Sequence, residues 1–377
     1  MKIERVDAWL AHFPLPHEFR PSWTPGIPSR NASATVFRVV TDDGIEGVTG
    51  GLLVAEEAKG FVDLLRAYLI GRDPTDVEAI LRILRSSTRV VGYRSWHLEP
   101  ALWDIVGKAA GMPVWKLMGG VRPRVRAYMS TGELRSPEQR AEDALAAREH
   151  GFTAIKLRCR FPTLAEDVAV VRAVREAVGD SMEIMVDANQ GWRVDIFDDV
   201  RWDWKRALQT ARAYEEFGLA WLEEPLDQHD YEGYARLRAA TTTPIAGGEM
   251  LSDLHGFRDH LVHGGLDFVQ PDTSFTGGIW TSRKIAAMAE AFDVGFAPHT
   301  WTHGLGLAAN LQVIASVPNG GWCEYPYDAP GWVPEARDFM LTEPIRVDAD
   351  GWITMPDAPG LGVELDVDRI EAHGTAL

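Results

Sequence analysis

The opening residues carry a short hydrophobic period. Positions 3–13 alternate apolar with polar residues and predict a strand, and the polar, proline-rich run at 14–29 predicts a loop. Positions 35–40 and 45–50 alternate on either side of Asp43-Gly44, a tight-turn dipeptide, so the two runs predict a hairpin. The period then lengthens, and 54–69, 75–84 and 100–110 predict helices. Strands followed by helices describe an α+β unit. Gly119-Gly120 and Pro123 mark its end, giving a first domain over residues 1–122.

After residue 123, short apolar runs alternate with amphipathic helices. Strands are predicted at 125–130, 154–157, 183–187, 220–223, 244–249, 268–272, 295–299 and 322–325. The helical patterns between them, among them 137–150, 165–178 and 281–291, are long enough to cross over between parallel strands. The fold class expected is therefore α/β, a TIM-like barrel over residues 123–344 behind the α+β domain. Residues 193–205 form an acidic, tryptophan-bearing insertion ahead of their helix, and residues 345–377, with turns between short apolar runs, are expected to return to the first domain.

Composition narrows the class of partner. Hydrophobic residues make up 46% and charged residues 25% of the 377, enough for a large buried core. A formal charge of -17 with no basic stripe argues against nucleic acid and anionic membranes, leaving a small molecule as the expected partner. Two cysteines, Cys159 and Cys323, make no disulfide framework and fit a reducing cytoplasm. The start has no signal-peptide pattern, and no run of ~18 uncharged apolar residues suggests a membrane span.

The ends of the predicted barrel strands hold the chemistry. In parallel barrels, catalytic side chains gather at the carboxyl ends of the strands. Asp187, Glu223 and Glu249 end three successive predicted strands. Three convergent carboxylates repel one another unless a cation joins them, and an all-oxygen set suits Mg2+ better than Zn2+. Glu224, next to Glu223, should point the other way. One strand earlier, period two places Lys156 and Arg158 on the same, inward face, suited to a substrate carboxylate. On the far side Asp272 and His299 end neighbouring strands, a pairing that orients a general base. Glu324 ends the last strand, where a protonated carboxyl would donate a hydrogen bond to a developing enolate.

Taken together, Lys156-Leu157-Arg158, Val186-Asp187-Ala188-Asn189-Gln190, Trp221-Leu222-Glu223-Glu224-Pro225, Gly248-Glu249, Gln270-Pro271-Asp272, Gly277-Gly278, Pro298-His299 and Glu324 resemble the mandelate racemase subgroup of the enolase superfamily. The resemblance spans nearly the whole chain. It implies a modified (β/α)7β barrel with an N-terminal α+β capping domain, one Mg2+, and loss of an α-proton from a carboxylate substrate to give an enediolate. It assigns Asp187, Glu223 and Glu249 to the metal, His299 and Asp272 to the base, Glu324 to electrophilic hydrogen bonding and Lys156 to the first cation of a paired-lysine motif. It also implies a homo-oligomer.

Arg158 departs from the pattern, because racemases carry a lysine base there. Guanidinium stays protonated near neutral pH and clamps anions rather than taking protons. One base, His299, favours proton loss followed by departure of a β-hydroxyl, as in dehydration of an aldonic or aldaric acid to a 2-keto-3-deoxy acid. A racemase, epimerase or cycloisomerase, with Lys156 supplying a second base, is the alternative; a non-catalytic sugar-acid binder is the third reading. For the substrate's distal end the candidates are Arg20, Trp23 and Arg30 in the first loop, Asn189 behind Asp187, and Trp301 and His303 beyond His299. A second capping segment, 92–97, offers Tyr93, Arg94, Trp96 and His97.

Overall fold

The computed structural model describes residues 1–51, 57–91, 94–192 and 201–377. Its first sheet contains β1 (Ile3–Phe19), β2 (Ser29–Thr41) and β3 (Glu46–Gly51), all antiparallel. Gly44 turns the hairpin with φ +83°, and its N–H reaches the Thr41 carbonyl at 3.0 Å. The strand at the start continues six residues beyond the predicted end, through the run expected to be loop. A register shift between Pro14 and Phe19 absorbs the prolines, which cannot donate to a ladder. Helices Glu57–Leu69, Val77–Val91 and Glu99–Ala109 follow; the second runs seven residues past its predicted end. Val6, Ala8, Phe37 and Val39 of the sheet pack against Phe61, Leu65, Leu84 and Leu102 of these helices.

Among the described residues the second sheet has nine strands, eight of them parallel: β4 (Arg124–Ser130), β5 (Ala154–Arg158), β6 (Glu183–Asp187), β7 (Trp221–Glu223), β8 (Ile245–Gly247), β9 (Phe268–Val269), β10 (Gly295–Phe296) and β11 (Trp322–Pro326). Neighbours pair in chain order from β4 to β10, and β11 closes onto β4. A bridge from Phe296 to Gly320 narrows the remaining seam. Period two separates two apolar layers. Ile155, Leu157, Ile184, Val186 and Leu222 face outward to the helices, while Tyr128, Ala154, Met185, Trp221, Ala246 and Ala297 fill the interior. Lys156 and Arg158 thus stand on the inner face, with Lys156 Nζ 5.7 Å from the Tyr128 ring centroid.

The last segment makes two attachments. β12 (Trp352–Thr354) pairs antiparallel with β4 of the barrel, contrary to the expectation that the whole segment returns to the first domain. Only then does β13 (Gly374–Ala376) pair with β1. Most of the acidic insertion expected at 193–205 lies outside the described residues, as do Gly92 and Tyr93.

Candidate active site

Asp187 and Glu223 are the last residues of β6 and β7. Glu249, Asp272 and His299 were expected to end their strands but lie two to three residues further on, because the backbone leaves the ladder early. Gly248, at φ +102°, turns the chain out of β8. Asp272 leaves β9 as the N-cap of the short helix Thr273–Thr276, accepting the Ser274 N–H at 2.8 Å.

These departures bring the groups together. Ligand oxygens of Asp187, Glu223 and Glu249, all buried, lie within 4.8 Å of one another. Burial raises the pKa of Glu249, and that of Glu223 to about 7 despite the attraction of Lys156. Lys156 Nζ stands 2.6 Å from Glu223 Oε1, 2.7 Å from Glu324 Oε1 and 3.5 Å from Asp187 Oδ2. Burial alone would discharge this ammonium, but Glu223 and Glu324 outweigh it and raise its pKa. Arg158 donates to the Thr131 carbonyl at 2.6 Å, to Asn189 Oδ1 at 3.3 Å and to Asp187 Oδ2.

Across from the triad, His299 Nδ1 lies 2.8 Å from Asp272 Oδ2, while Nε2 points toward Glu249 Oε2 at 3.6 Å. Burial opposes the imidazolium, yet Glu249, Glu324 and Asp272 together raise the His299 pKa to about 9. One of two further carboxylate environments differs from expectation, that of Glu324, while Glu224 points away from the triad as expected. Glu324 was read as a protonated donor, but Lys156 Nζ, Ser130 Oγ at 2.6 Å and the Thr300 N–H at 2.5 Å all donate to it. Burial would raise its pKa; Lys156, His299 and Arg158 prevail and lower it to about 2, so Glu324 is an acceptor. Glu224 lies apart from the triad with φ +45°, both oxygens buried without a hydrogen bond, and burial raises its pKa well above the carboxylate range.

The buried acids thus outnumber Lys156, Arg158 and His299. Glu249 Oε2 is buried and accepts no hydrogen bond, an expensive state for a carboxylate oxygen. The oxygen-only donors and the surplus of negative charge fit a hard divalent cation between Asp187, Glu223 and Glu249.

A cavity of about 160 Å³ opens beside these groups. Trp23, Asn189 and Trp301 line it with Arg158, Glu249 and His299. Arg20 and Arg30 do not: each side chain is 77% exposed and pairs with Glu18, at 2.7 and 3.1 Å. His303 and His97 are buried and do not line the cavity. Sequence reasoning missed several contributors. Trp192 Nε1 donates to Glu249 Oε1 at 2.6 Å, Gln270 Nε2 to Glu223 Oε2 at 2.7 Å, and Phe275 and Met250 line the cavity. Gln270 stood within a quoted motif, and Ser130 ended a predicted strand, so the strand-end rule would have found that hydroxyl.

The antiparallel cap, the parallel barrel and the carboxylate triad facing an imidazole–carboxylate pair define a capped barrel of the enolase type. Residues 17–119 match the mandelate racemase / muconate lactonizing enzyme N-terminal domain, and residues 139–369 match the enolase C-terminal domain-like family. The chain belongs to the mandelate racemase / muconate lactonizing enzyme family of the enolase superfamily. It is 36% identical over 387 aligned positions to the 3,6-anhydro-alpha-L-galactonate cycloisomerase of Streptomyces coelicolor, covering 98% of each chain. It is 35% identical over 353 positions to the L-talarate/galactarate dehydratase of Salmonella typhimurium, covering 90% of this chain and 82% of that one. Among solved structures, L-talarate dehydratase from Polaromonas sp. JS666, complexed with Mg and L-glucarate, is similar with a TM-score of 0.85 and 30% identity over 100% of this chain and 99% of that one.

Proposed function

We propose that the protein removes the α-proton of a sugar-derived carboxylate with His299 and expels an oxygen substituent from the β-carbon, most directly dehydrating an acid sugar to a 2-keto-3-deoxy acid. The observation that carries this reading is His299 Nε2 facing the triad carboxylate Glu249 across 3.6 Å, with Asp272 fixed behind it. Asp187, Glu223 and Glu249 would hold Mg2+, which supplies positive charge against the electron density that a deprotonated α-carbon pushes onto the carboxylate.

The chain's own residues do the rest. Arg158 is a permanent cation at the cavity wall and binds the substrate carboxylate. Asp272 keeps a proton on Nδ1; the charge of Glu249 is the largest influence raising the His299 pKa to about 9, and a cation at the triad would offset it, so that the neutral ring presents Nε2 as the base and, once protonated, can return the proton to a leaving oxygen. Lys156, charged at the barrel floor, stabilises the enediolate. Glu324 orders Lys156 and the Thr300 amide as an acceptor. Dehydratases and cycloisomerases among the relatives support the same first step. A cycloisomerase is the second reading, favoured by the aromatic lining of the cavity, since the expelled oxygen then belongs to a ring.

The reading extends to a cytoplasmic setting, supported by two buried free thiols, and to an assembly of identical subunits, supported by the family resemblance alone. Among the described residues no helix is long and apolar enough to cross a membrane. The test is incubation of the Mg2+-loaded protein in D2O with aldonic, aldaric and ring-closed sugar acids. Exchange at the α-carbon with 2-keto-3-deoxy products is expected; a folded, metal-loaded sample that neither exchanges nor converts any of them would overturn the reading.

A further inference from the structure

We infer that the cap holds the base in place: Trp96 and His97 are positioning residues that act on His299 through Ser274 and Asp272. This rests on the reading of His299 as the base and adds to it the part of the molecule that keeps Asp272 aligned.

Asp272 stands beyond the reach of the barrel ladder. β9 ends at Val269; the Gln270 N–H still meets the Gly247 carbonyl at 3.0 Å, but the Asp272 N–H turns to Thr276 Oγ1 at 3.2 Å. The helix that Asp272 caps, Thr273–Thr276, is a single turn, too short to fix its own position. Its attachments to the surroundings therefore place the carboxylate. On the barrel side Asn310 accepts the Thr273 N–H at 3.1 Å and donates to Asp272 Oδ1 at 3.4 Å.

On the other side the attachments come from the cap. Trp96 Nε1 at 3.1 Å and His97 Nε2 at 2.8 Å both donate to the Ser274 carbonyl, which has two lone pairs to receive them. The N–H of the same residue donates to Asp272 Oδ1 at 2.8 Å, so the clamped serine engages one carboxylate oxygen and leaves Oδ2 to His299 Nδ1. The rings are backed by β3: Thr49 Oγ1 donates to the His97 carbonyl at 2.7 Å, and a Cβ on Gly51 would meet His97 Nδ1 at 2.7 Å. Two residues further on, Glu99 accepts the N–H groups of Ile279 at 2.7 Å and Trp280 at 2.8 Å, which fastens the next helix to the same cap segment. Trp96 and His97 are buried, and neither lines the cavity.

The contact that these rings supply is to the base and not to the substrate. Without a donor on its carbonyl, Ser274 is free to shift, and Asp272 and the imidazole it orients shift with it. Proton abstraction depends steeply on alignment, and a displacement of about 1 Å costs up to about a hundredfold in rate. Docking of this cap segment therefore governs kcat, whereas cap residues that line the cavity, such as Trp23, act on KM.

The test uses the full-length, Mg2+-loaded protein and four variants: Trp96→Phe, His97→Leu, the two combined, and His97→Gln, which keeps a donor for Ser274. The substrate is whichever of the aldonic, aldaric and ring-closed acids the wild type exchanges fastest in D2O. For α-exchange, kcat should fall about tenfold in each of the first two variants and about a hundredfold in the double variant, with KM within about threefold. His97→Gln should hold kcat within about threefold of wild type. The proton on His299 Nδ1, identified in the downfield NMR spectrum by its loss in His299→Asn, should exchange with water about tenfold faster in the double variant. The single variants carry the same readouts if the double variant does not fold. A lowered melting temperature with kcat and the Nδ1 proton unchanged in folded protein would overturn the inference. If wild type exchanges none of the acids, the α-proton reading falls, and the Nδ1 proton alone decides whether the cap holds the ring.

Discussion

Asp272 Oδ2 lies 2.8 Å from His299 Nδ1, and this contact decides which imidazole nitrogen faces the cavity. A carboxylate only accepts, so Nδ1 carries the proton and Nε2 of the neutral ring carries the lone pair. Asp272 is itself held by the Ser274 N–H at 2.8 Å and Asn310 Nδ2 at 3.4 Å. Asp272→Asn keeps the size of the side chain but can donate to Nδ1, which moves the proton to Nε2. Turnover and α-exchange in D2O should fall by ~10²–10⁴, with KM changing little. Wild-type exchange in this variant would mean that Asp272 does not set the base.

Arg158 is anchored on one side by the Thr131 carbonyl, Asp187 and Asn189 and packed on the other by two indoles. Lysine cannot reproduce the planar fork or the stacking. Arg158→Lys should lower kcat/KM by ~10–100-fold, chiefly through KM, if the guanidinium binds the substrate carboxylate. Steady-state kinetics on the converted acid measures this. A kcat loss at unchanged KM would assign Arg158 to the transition state instead.

The fold was legible where periodicity and chemistry coincided. β6 lies where 183–187 was predicted, because Ile184, Met185 and Val186 alternate between two apolar layers and Asp187 ends the run. The inward aim of Lys156 and Arg158 followed from period two alone. Less was legible where the backbone leaves the ladder: Glu249, Asp272 and His299 stand beyond strands of only two or three residues, and turn geometry rather than pattern carries them there. Arg20 and Arg30 look like anion binders in one dimension, and nothing in the chain reveals that Glu18 draws both away. Glu324 shows the same limit. Its ionisation depends on Lys156, Ser130 and the Thr300 amide, which meet it only in three dimensions.

Glu249 is the triad member with a buried, unpartnered oxygen, Oε2, and its Oε1 is held by Trp192. Glu249→Gln removes one negative charge and leaves the outline of the side chain, so the fold should survive. Wild-type protein should gain thermal stability with Mg2+, because a ligand bound to the folded state alone stabilises it by mass action. In the variant the Mg2+ concentration giving half that gain should rise by ~10–100-fold. Equal Mg2+ titrations by thermal melting for both proteins would place the ion elsewhere.

His97 and His303 make the junction of cap and barrel sensitive to acid. Gly50 and Gly51 of β3 pack against them so closely that a Cβ on Gly50 would lie 2.2 Å from the His303 ring and one on Gly51 would lie 2.7 Å from His97 Nδ1. His97 Nε2 donates to the Ser274 carbonyl at 2.8 Å, leaving Nδ1 unpartnered; His303 Nδ1 accepts the Gly306 N–H at 3.1 Å, leaving Nε2 unpartnered. Burial lowers the pKa of His97 to about 4, with Arg94 adding to the effect, and burial with His97 lowers that of His303 to about 3. Folded values below 6.5 mean that the neutral rings contribute full stability above pH 6.5. As the pH falls from 6.5 toward 4, the unfolded chain takes up protons that the folded one refuses, and that stability is lost. At pH 5 the loss should be on the order of 2 kcal/mol for each ring. His97→Gln retains an amide donor for Ser274, and His303→Asn retains a side-chain acceptor at the N-cap of helix Gly304–Ser316, but neither replacement titrates. Urea unfolding at pH 7.5 and pH 5 should show the double variant losing about 4 kcal/mol less than wild type over that interval. Parallel losses in the two proteins would mean that the acid sensitivity resides in other groups.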